Sequence, residues 1–211
     1  MAKVGVLGSG EVGKVLAKGF KKHGHDVMIG SREGNKLADW SKEHDIAEGT
    51  FSAVAAHGDI VVLAVLGGVA EATVKGLAEA LAGKVVIDTT NPIGGPPVGG
   101  VLQLFTGPND SLMERLQQAA PAARFVKAFS CVGNAFMVNP SFPGGAPTMF
   151  ICGDDAAAKA QVVGVLEQFG WDHEDIGGAV GARAIEPLVQ LWCAPGFLRN
   201  HWAHAFKLLR V

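Results

Sequence analysis

The feature that most constrains the fold is a glycine-rich turn near the N-terminus. Residues 3–7 are β-branched or apolar and predict a strand, whereas residues 11–23 carry apolar side chains at helical spacing. The turn between them has the pattern G-x-G-x-x-G, in the residues Gly8, Ser9, Gly10, Glu11, Val12 and Gly13. In this context the first glycine makes a tight turn, the second lets the backbone approach a pyrophosphate, and the third lets the helix pack on the strand. The turn therefore predicts a dinucleotide whose phosphates lie at the start of the helix.

Strands and helices alternate along the rest of the chain. We predict strands at residues 25–29, 60–66, 84–88, 124–128, 148–152 and 172–176, and helices at 33–44, 51–56, 69–81, 110–120 and 155–169. This order predicts an α/β protein whose residues 1–180 form a doubly wound, mainly parallel Rossmann sheet.

Two segments depart from this alternation. Residues 89–109 are rich in glycine and proline and predict a long functional loop with a short apolar segment at 101–105. Residues 182–209 are largely apolar and predict a helix interrupted at Pro187 and Pro195. Residues 181–211 are therefore expected to form a small C-terminal helical extension.

The end of the second predicted strand indicates NADP rather than NAD. An NAD-binding domain places a carboxylate there for the ribose 2′-hydroxyl, but this chain has Ser31 and Arg32. A hydroxyl and a guanidinium suit a 2′-phosphate, and Lys36, one predicted helical turn further on, adds a second positive charge. The alternative is a solvated Ser-Arg pair at the start of a helix.

The ends of two further strands are predicted to line the same crevice. Ligands of doubly wound sheets bind outside the carboxyl ends of the strands, where the strand order reverses. The candidate lining residues are Ala64, Val65 and Leu66 after one strand and Thr90, Asn91 and Pro92 after the next. The Asn91 amide suits a nicotinamide carboxamide or a ribose, although Asn-Pro also starts ordinary turns.

Composition disfavours several classes of partner. With 18 Lys+Arg and 20 Asp+Glu, the net charge of −2 offers no footprint for nucleic acid and no polybasic membrane patch. The longest apolar stretch, residues 60–70, is shorter than the about 20 residues of a membrane span. Three separated cysteines indicate a reducing, cytoplasmic setting. Only 18% of residues are charged and the C-terminal segment is apolar nearly all round, so we expect a homodimer.

No metal site and no catalytic side chain are predicted. The run of residues 172–175 alternates faces in a strand, so its acidic and histidine side chains do not converge. His201 and His204 share a predicted helical face but have no evident third ligand. Lys127, in an apolar strand, is a candidate general acid, but we favour a lysine that snorkels at the strand end.

Aromatic side chains are concentrated in the C-terminal segment. They are Trp192, Phe197, Trp202 and Phe206. Core packing, a dimer seam and a stacking surface for a cofactor remain as alternatives for them.

Four segments together carry a resemblance to a known family. They are residues 8–13, residues 30–32 with Lys36, residues 126–129 and residues 151–155. The chain resembles, over nearly its whole length, the coenzyme F420-dependent NADP reductases and the related cytoplasmic reductase domains of transmembrane metalloreductases. The resemblance implies a Rossmann domain with NADP across the crevice and a second planar redox cofactor stacked on the nicotinamide.

The second cofactor is less constrained by this resemblance. The deazaflavin reductases of the family carry a histidine where this chain has Ser130, and a serine and a threonine where it has Pro187 and Val189. A deazaflavin (coenzyme F420) and a flavin therefore both remain open, and Ser130 and Asn134 are expected on the acceptor side.

The expected function is NADP(H)-dependent oxidoreduction with a small-molecule redox acceptor. The hydride would pass between NADP and the second planar cofactor, which carry the chemistry themselves. A reductase of a small imine or carbonyl substrate and a non-catalytic NADPH-binding sensor are the alternatives.

Overall fold

A parallel β-sheet forms the centre of the fold in a computed structural model that describes residues 1–211. The strands are β1 (Lys3–Leu7), β2 (Asp26–Ser31), β3 (Ala47–Thr50), β4 (Ile60–Leu63), β5 (Val85–Asp88), β6 (Ile93–Val98), β7 (Val101–Leu104), β8 (Arg124–Lys127), β9 (Thr148–Ile151) and β10 (Asp172–Asp175). The central sheet has the order β3-β2-β1-β4-β5-β8, and all its pairs are parallel. The order reverses between β1 and β4, which confirms the predicted doubly wound sheet.

Helices cover both faces of this sheet. They are α1 (Glu11–Lys22), α2 (Ala38–His44), α3 (Phe51–His57), α4 (Gly67–Gly76), α5 (Ala78–Leu81), α6 (Leu112–Ala119), α7 (Ala156–Gln168), α8 (Ala182–Ile185) and α9 (Leu188–Arg199). One core contains Val62 with side chains of α1 and α7, and the other contains Val61 and Leu63 with side chains of α3, α4 and α6. The strand β4 is thus buried on both faces, as its continuous apolar run predicts.

A separate two-stranded sheet, formed by β9 and β10, lies beside β8. β9 and β10 are parallel to each other, and the Lys127 N–H donates to the Cys152 carbonyl at 2.9 Å in an antiparallel bridge beside β8. The chain end lies along β9, where the Thr148 N–H donates to the Phe206 carbonyl at 2.9 Å. The last residues therefore pack at the start of β9.

The prediction of a loop over residues 89–109 is wrong. Residues 93–104 form the antiparallel hairpin of β6 and β7, with Gly99 and Gly100 at positive φ in its turn. The hairpin packs on α9, and the Gln190 side-chain amide donates to the Leu102 carbonyl at 2.6 Å. The two prolines of β6 are tolerated because this strand lies at an edge.

The predicted C-terminal helix is also wrong in its extent. The helix α9 passes through Pro195 and ends at Arg199, where Asn200 takes the left-handed conformation with φ 51°. Residues 201–211 contain no helix, so His201 and His204 do not share a helical face. No helix in the structure has the length and apolar character to traverse a bilayer.

Smaller differences concern strand β3 and the helices around it. The sequence pattern does not predict the short strand β3, α2 begins at Ala38 rather than at residue 33, and the predicted helix over 69–81 is divided at Leu77. The boundary at residue 180 between two domains stays a prediction.

Candidate functional site

The three glycines of the turn after β1 meet different surroundings. A Cβ on Gly8, whose φ is +143°, would lie 2.2 Å from the Ala64 carbonyl oxygen, and one on Gly13 would lie 2.2 Å from the Gly8 carbonyl oxygen. A Cβ on Gly10 would have nothing within 4 Å. The fold itself therefore requires Gly8 and Gly13, whereas the space at Gly10 is left open.

That open space lies at the start of α1. Gly10 is extended (φ −81°, ψ 179°), and no side chain caps the helix. The first N–H groups of the helix therefore have no intrahelical partner, and the positive end of its dipole faces outward. The exposed Glu11 carboxylate lies 3.3 Å from the Lys14 ammonium, which offsets its negative charge. Ser9 and Val12 are partly buried beside it, and the whole arrangement suits phosphate.

A tight turn follows β2 and exposes two positive charges. The Gly34 N–H donates to Ser31 Oγ at 3.1 Å, and Gly34 has φ +78°. This turn replaces the predicted helix start, so Lys36 is not one helical turn from Arg32. Both Arg32 and Lys36 are exposed, and neither takes part in a salt bridge. They are free to pair with an anion that is not part of the chain.

The residues after β4 and β5 lie next to each other, as the strand order requires. The Ala64 N–H donates to the Leu7 carbonyl at 2.8 Å, so this segment stays beside β1. Val65 is partly buried and Leu66 is exposed. A Cβ on Gly67 would lie 2.0 Å from the Asn91 carbonyl oxygen, which shows that the start of α4 touches the residues after β5.

Residues 89–92, hereafter the β5 loop, contact the segment after β8. The Asn91 side-chain N–H donates to the Ser130 carbonyl at 2.8 Å. Asn91 Oδ1 and Ser130 Oγ are both buried and have no hydrogen-bond partner. Since buried polar atoms normally have hydrogen-bond partners, these two atoms suit a ligand that offers both a donor and an acceptor.

The backbone around Ser130 is unusual. Phe129 is buried and has φ +61°, a conformation that bulky side chains rarely adopt. Asn134 begins a single 3₁₀ turn (Asn134–Phe136) and is partly buried. Pro92 is buried, and its carbonyl accepts a hydrogen bond from the Phe105 N–H at 2.8 Å, which ties the β5 loop to the hairpin.

A buried ion network underlies the β5 loop. The Lys127 ammonium lies 2.7 Å from Asp88 Oδ2 and 2.9 Å from Glu186 Oε1, and it donates to the Thr90 carbonyl at 2.9 Å. Lys127 is 0% exposed, so the snorkelling interpretation is wrong. Burial lowers the pKa of Lys127, but the two carboxylates outweigh burial and raise the pKa above its ordinary value. Lys127 therefore keeps its proton, and a side chain that does not release its proton is a poor general acid.

Glu186 was not singled out from the sequence. It is 1% exposed and lies between α8 and α9, far along the chain from its partners. The only available signal was indirect: a lysine in the apolar strand around Lys127 requires a buried anion.

The C-terminal aromatic residues are divided between interior and surface. The Trp192 ring is buried, stacks on the His204 ring with centroids 4.9 Å apart, and packs against Gly133. Phe197 and Trp202 remain partly exposed. His204 Nε2 is hydrogen-bonded to the Trp192 carbonyl at 2.8 Å. The structure gathers no group of three or more His, Cys, Asp or Glu side chains that could hold a metal ion.

Comparison with known proteins decides the family. The profile of the family described as "NADP oxidoreductase coenzyme F420-dependent" matches residues 3–92. A candidate F420-dependent NADP reductase from Arthrobacter sp. FB24 is 32% identical, with a TM-score of 0.90 and full coverage of both chains. This chain belongs to the F420-dependent NADP reductase family. The F420-dependent NADP reductase of Methanocaldococcus jannaschii is 28% identical over 202 residues, which is 90% of each chain.

Other similarities extend beyond this family. The metalloreductase STEAP3 of Rattus norvegicus is 28% identical over 200 residues, and the chain spans only 39% of its length. An imine reductase from Myxococcus stipitatus shares the fold, with 19% identity, a TM-score of 0.67 and 61% of its chain covered. F420-dependent NADP reductases are NADP-dependent oxidoreductases, which confirms the predicted enzyme class.

Proposed function

We propose that the chain transfers a hydride between NADP(H) and a second planar redox cofactor of the deazaflavin or flavin type. The observation that carries this proposal is Gly10. It is the only glycine of the fingerprint at which an added Cβ would meet no atom of the chain within 4 Å. It also lies at an uncapped helix start, beside the point where the strand order of the sheet reverses. A dinucleotide pyrophosphate fits such a place because backbone N–H groups and the helix dipole both favour an anion.

The turn after β2 supports NADP over NAD. Arg32 and Lys36 present two unpaired positive charges, and no carboxylate stands at the end of the strand. The planar guanidinium of Arg32 can donate two parallel hydrogen bonds to a phosphate, and Lys36 adds a point charge. We propose that Ser31, Arg32 and Lys36 bind the 2′-phosphate.

The opposite end of the cleft suits a nicotinamide. Asn91 Oδ1 accepts hydrogen bonds and Ser130 Oγ can donate one, and both atoms lack a partner within the chain. A carboxamide carries the complementary donor and acceptor. Our assignment of this end is completed by Ala64, Val65, Leu66, Thr90 and Pro92. Ser130 thus lies against the nicotinamide where the second cofactor would stack, and Asn134 is assigned to the acceptor side.

The side chains assigned to this end are neutral, and the nearby lysine is held in its protonated form. When bound, NADP(H) and the second cofactor supply the hydride chemistry. The contribution of Ser9, Ser130 and Asn134 is then to bind, align and exclude water rather than to transfer protons.

The direct test is a binding and acceptor screen with matched glycine variants. NADPH oxidation is followed with coenzyme F420, flavin, quinone and ferric-chelate acceptors and with small imine and carbonyl compounds, and NADPH affinity is measured by calorimetry. Gly10→Ala should abolish nucleotide binding because a methyl group occupies the space of the pyrophosphate. Gly164→Ala, in α7, is the control because its Cβ also meets nothing within 4 Å.

Three outcomes would contradict the proposal. Unchanged NADPH affinity in a folded Gly10→Ala protein would place the phosphates elsewhere. Turnover only with imine or carbonyl compounds would establish a different reductase. Tight NADPH binding with no NADPH oxidation by any compound of the screen would indicate a sensor.

We further propose a homodimer. Apolar side chains remain exposed on the hairpin and on α9, including Val98, Val101, Leu191 and Leu198. Gly100 and Leu198 contact each other, so the two elements form one continuous apolar face. Light scattering coupled to size-exclusion chromatography should give twice the mass of 21.9 kDa.

The cysteines support a reducing compartment. All three are free thiols, and Cys131 and Cys152 are buried. We therefore propose a cytoplasmic location.

A further inference from the structure

The buried ion network lies directly beneath the β5 loop. We propose that Asp88, Lys127 and Glu186 are positioning residues that fix this loop, and with it the free oxygen of Asn91, at the nicotinamide end of the cleft. The inference rests on the proposed function, because it assigns a role in nicotinamide binding. It goes beyond that function in naming residues that act on the cofactor without touching it.

The first step of the argument is the number of bonds made to Thr90. Asp88 Oδ1 accepts from the Thr90 N–H at 2.9 Å and from the Thr90 hydroxyl at 2.6 Å. Lys127 donates to the Thr90 carbonyl at 2.9 Å. Two ionic side chains thus hold the N–H, the carbonyl and the hydroxyl of one residue, which fixes the backbone on both sides of Thr90.

The second step concerns the residue that follows. Asn91 leaves Thr90 in a fixed direction, and its side-chain N–H is held by the Ser130 carbonyl at 2.8 Å. Asn91 Oδ1 is the atom of this side chain left without a partner. Its position is therefore set by the network on one side and by the segment after β8 on the other.

The third step is Glu186, which anchors the network to the rest of the fold. Glu186 accepts from the Leu112 N–H at 2.9 Å and from the Met113 N–H at 3.0 Å, at the start of α6. The positive end of α6 offsets the second carboxylate, so one lysine suffices for two acids. The network thus joins β5, β8, α6 and the α8–α9 junction at a single point.

Stability alone is a weak reason for such a network. Burying charges carries a large desolvation cost, and well-packed apolar side chains often stabilise a core equally well. What apolar side chains cannot do is direct one carbonyl, one N–H and one hydroxyl to defined positions. The geometry of the β5 loop is what this arrangement specifies.

The test compares two ligands of the full-length protein. NADPH carries the nicotinamide, whereas adenosine 2′,5′-bisphosphate carries only the adenosine with its 2′- and 5′-phosphates. The double variant Asp88→Leu/Lys127→Met removes all three bonds to Thr90, while the charge of the network stays at −1. We expect its dissociation constant for NADPH to rise at least tenfold, whereas that of the bisphosphate changes less than threefold.

A second double variant separates positioning from packing. Asp88→Asn/Lys127→Met also removes the ammonium, but it keeps an acceptor for the Thr90 N–H and hydroxyl. It should recover at least threefold of the lost NADPH affinity. A purely structural role would instead weaken both ligands in parallel with the melting temperature.

The outcomes are distinguishable from failure of the proposed function. If the unaltered protein binds neither ligand, the proposed function itself is wrong. If it binds both, an unchanged affinity ratio in a folded Asp88→Leu/Lys127→Met variant overturns the inference, as does an equal loss for both ligands. Should that variant not fold, Asp88→Asn/Lys127→Met decides: the ratio must still shift against NADPH, because the bond from Lys127 to the Thr90 carbonyl is lost, and an unchanged ratio overturns the inference.

Discussion

Removal of Arg32 should distinguish the two nicotinamide dinucleotides. The Arg32 side chain is exposed, follows β2 and has no acidic partner within the chain, so its only strong interaction would be with a bound phosphate. NADP carries the 2′-phosphate and NAD does not. Arg32→Ala should therefore weaken NADP binding and leave NAD binding within about twofold.

The expected loss follows from the type of bond. A hydrogen bond to a charged group contributes about 1.5–3 kcal/mol. At about 1.4 kcal/mol per factor of ten, the NADP affinity should fall roughly 10- to 150-fold. Because Arg32 is exposed and screened by salt, the lower part of this range is expected at physiological ionic strength. Lys36→Ala, which removes an exposed point charge, should cost about fivefold or less.

Isothermal titration with both nucleotides at low and high salt measures these losses. Lys22→Ala is the matched control, since it removes an exposed lysine with no ion pair at the far end of α1. The NADP loss should shrink as salt rises, and the control should bind like the unaltered protein. Equal losses for NADP and NAD after Arg32→Ala would refute the assignment of the phosphate site.

Three further outcomes are expected. The hydride step, followed in a single turnover with a flavin-type acceptor, should vary little between about pH 6 and 8, whereas a bell-shaped profile would indicate general acid–base catalysis and favour the imine or carbonyl reductase. The Arg183 guanidinium lowers the pKa of Glu114, so the Glu114 carboxylate stabilises the fold at neutral pH and this stabilisation is lost as the pH falls below about 4. Glu114→Gln should therefore lower the melting temperature at neutral pH but not at low pH, and a difference in melting temperature that does not depend on pH would contradict this. Burial raises the pKa of Cys131 to about 11 and that of Cys152 to about 12, and it also raises the pKa of Cys193, which stays partly exposed. Iodoacetamide at pH 8 should therefore modify the native protein slowly and only at Cys193, and mass spectrometry showing rapid modification of all three thiols would contradict the buried positions of the other two.

The sequence predicts the central sheet well because its strands are buried on both faces. A run such as Ile60–Leu63 must be apolar throughout when helices cover both sides. Such a strand can therefore be recognised from the sequence without knowing which elements pack against it. The fingerprint is predictable for a similar reason: the contacts that require Gly8 and Gly13 lie within the same strand–turn–helix unit or on the adjoining strand.

The elements that sequence patterns miss depend on contacts made at a distance. The hairpin is held against α9 through Gln190, and the start of α2 is displaced by the bond between Ser31 and Gly34. Glu186 and Leu112 are 74 residues apart, so nothing local indicates that they meet. The NADP-side candidates could be named from spacing, whereas the network beneath the β5 loop required the assembled fold.

The unequal surroundings of the fingerprint glycines have an evolutionary consequence. Any descendant of this chain that lost Gly8 or Gly13 would have to rebuild the turn, because another side chain there meets backbone oxygen. A descendant that lost only Gly10 would meet no such barrier. Loss of the ligand and loss of the architecture are thus separable events, and a lineage could abandon nucleotide binding by one substitution while its sheet and helices persisted.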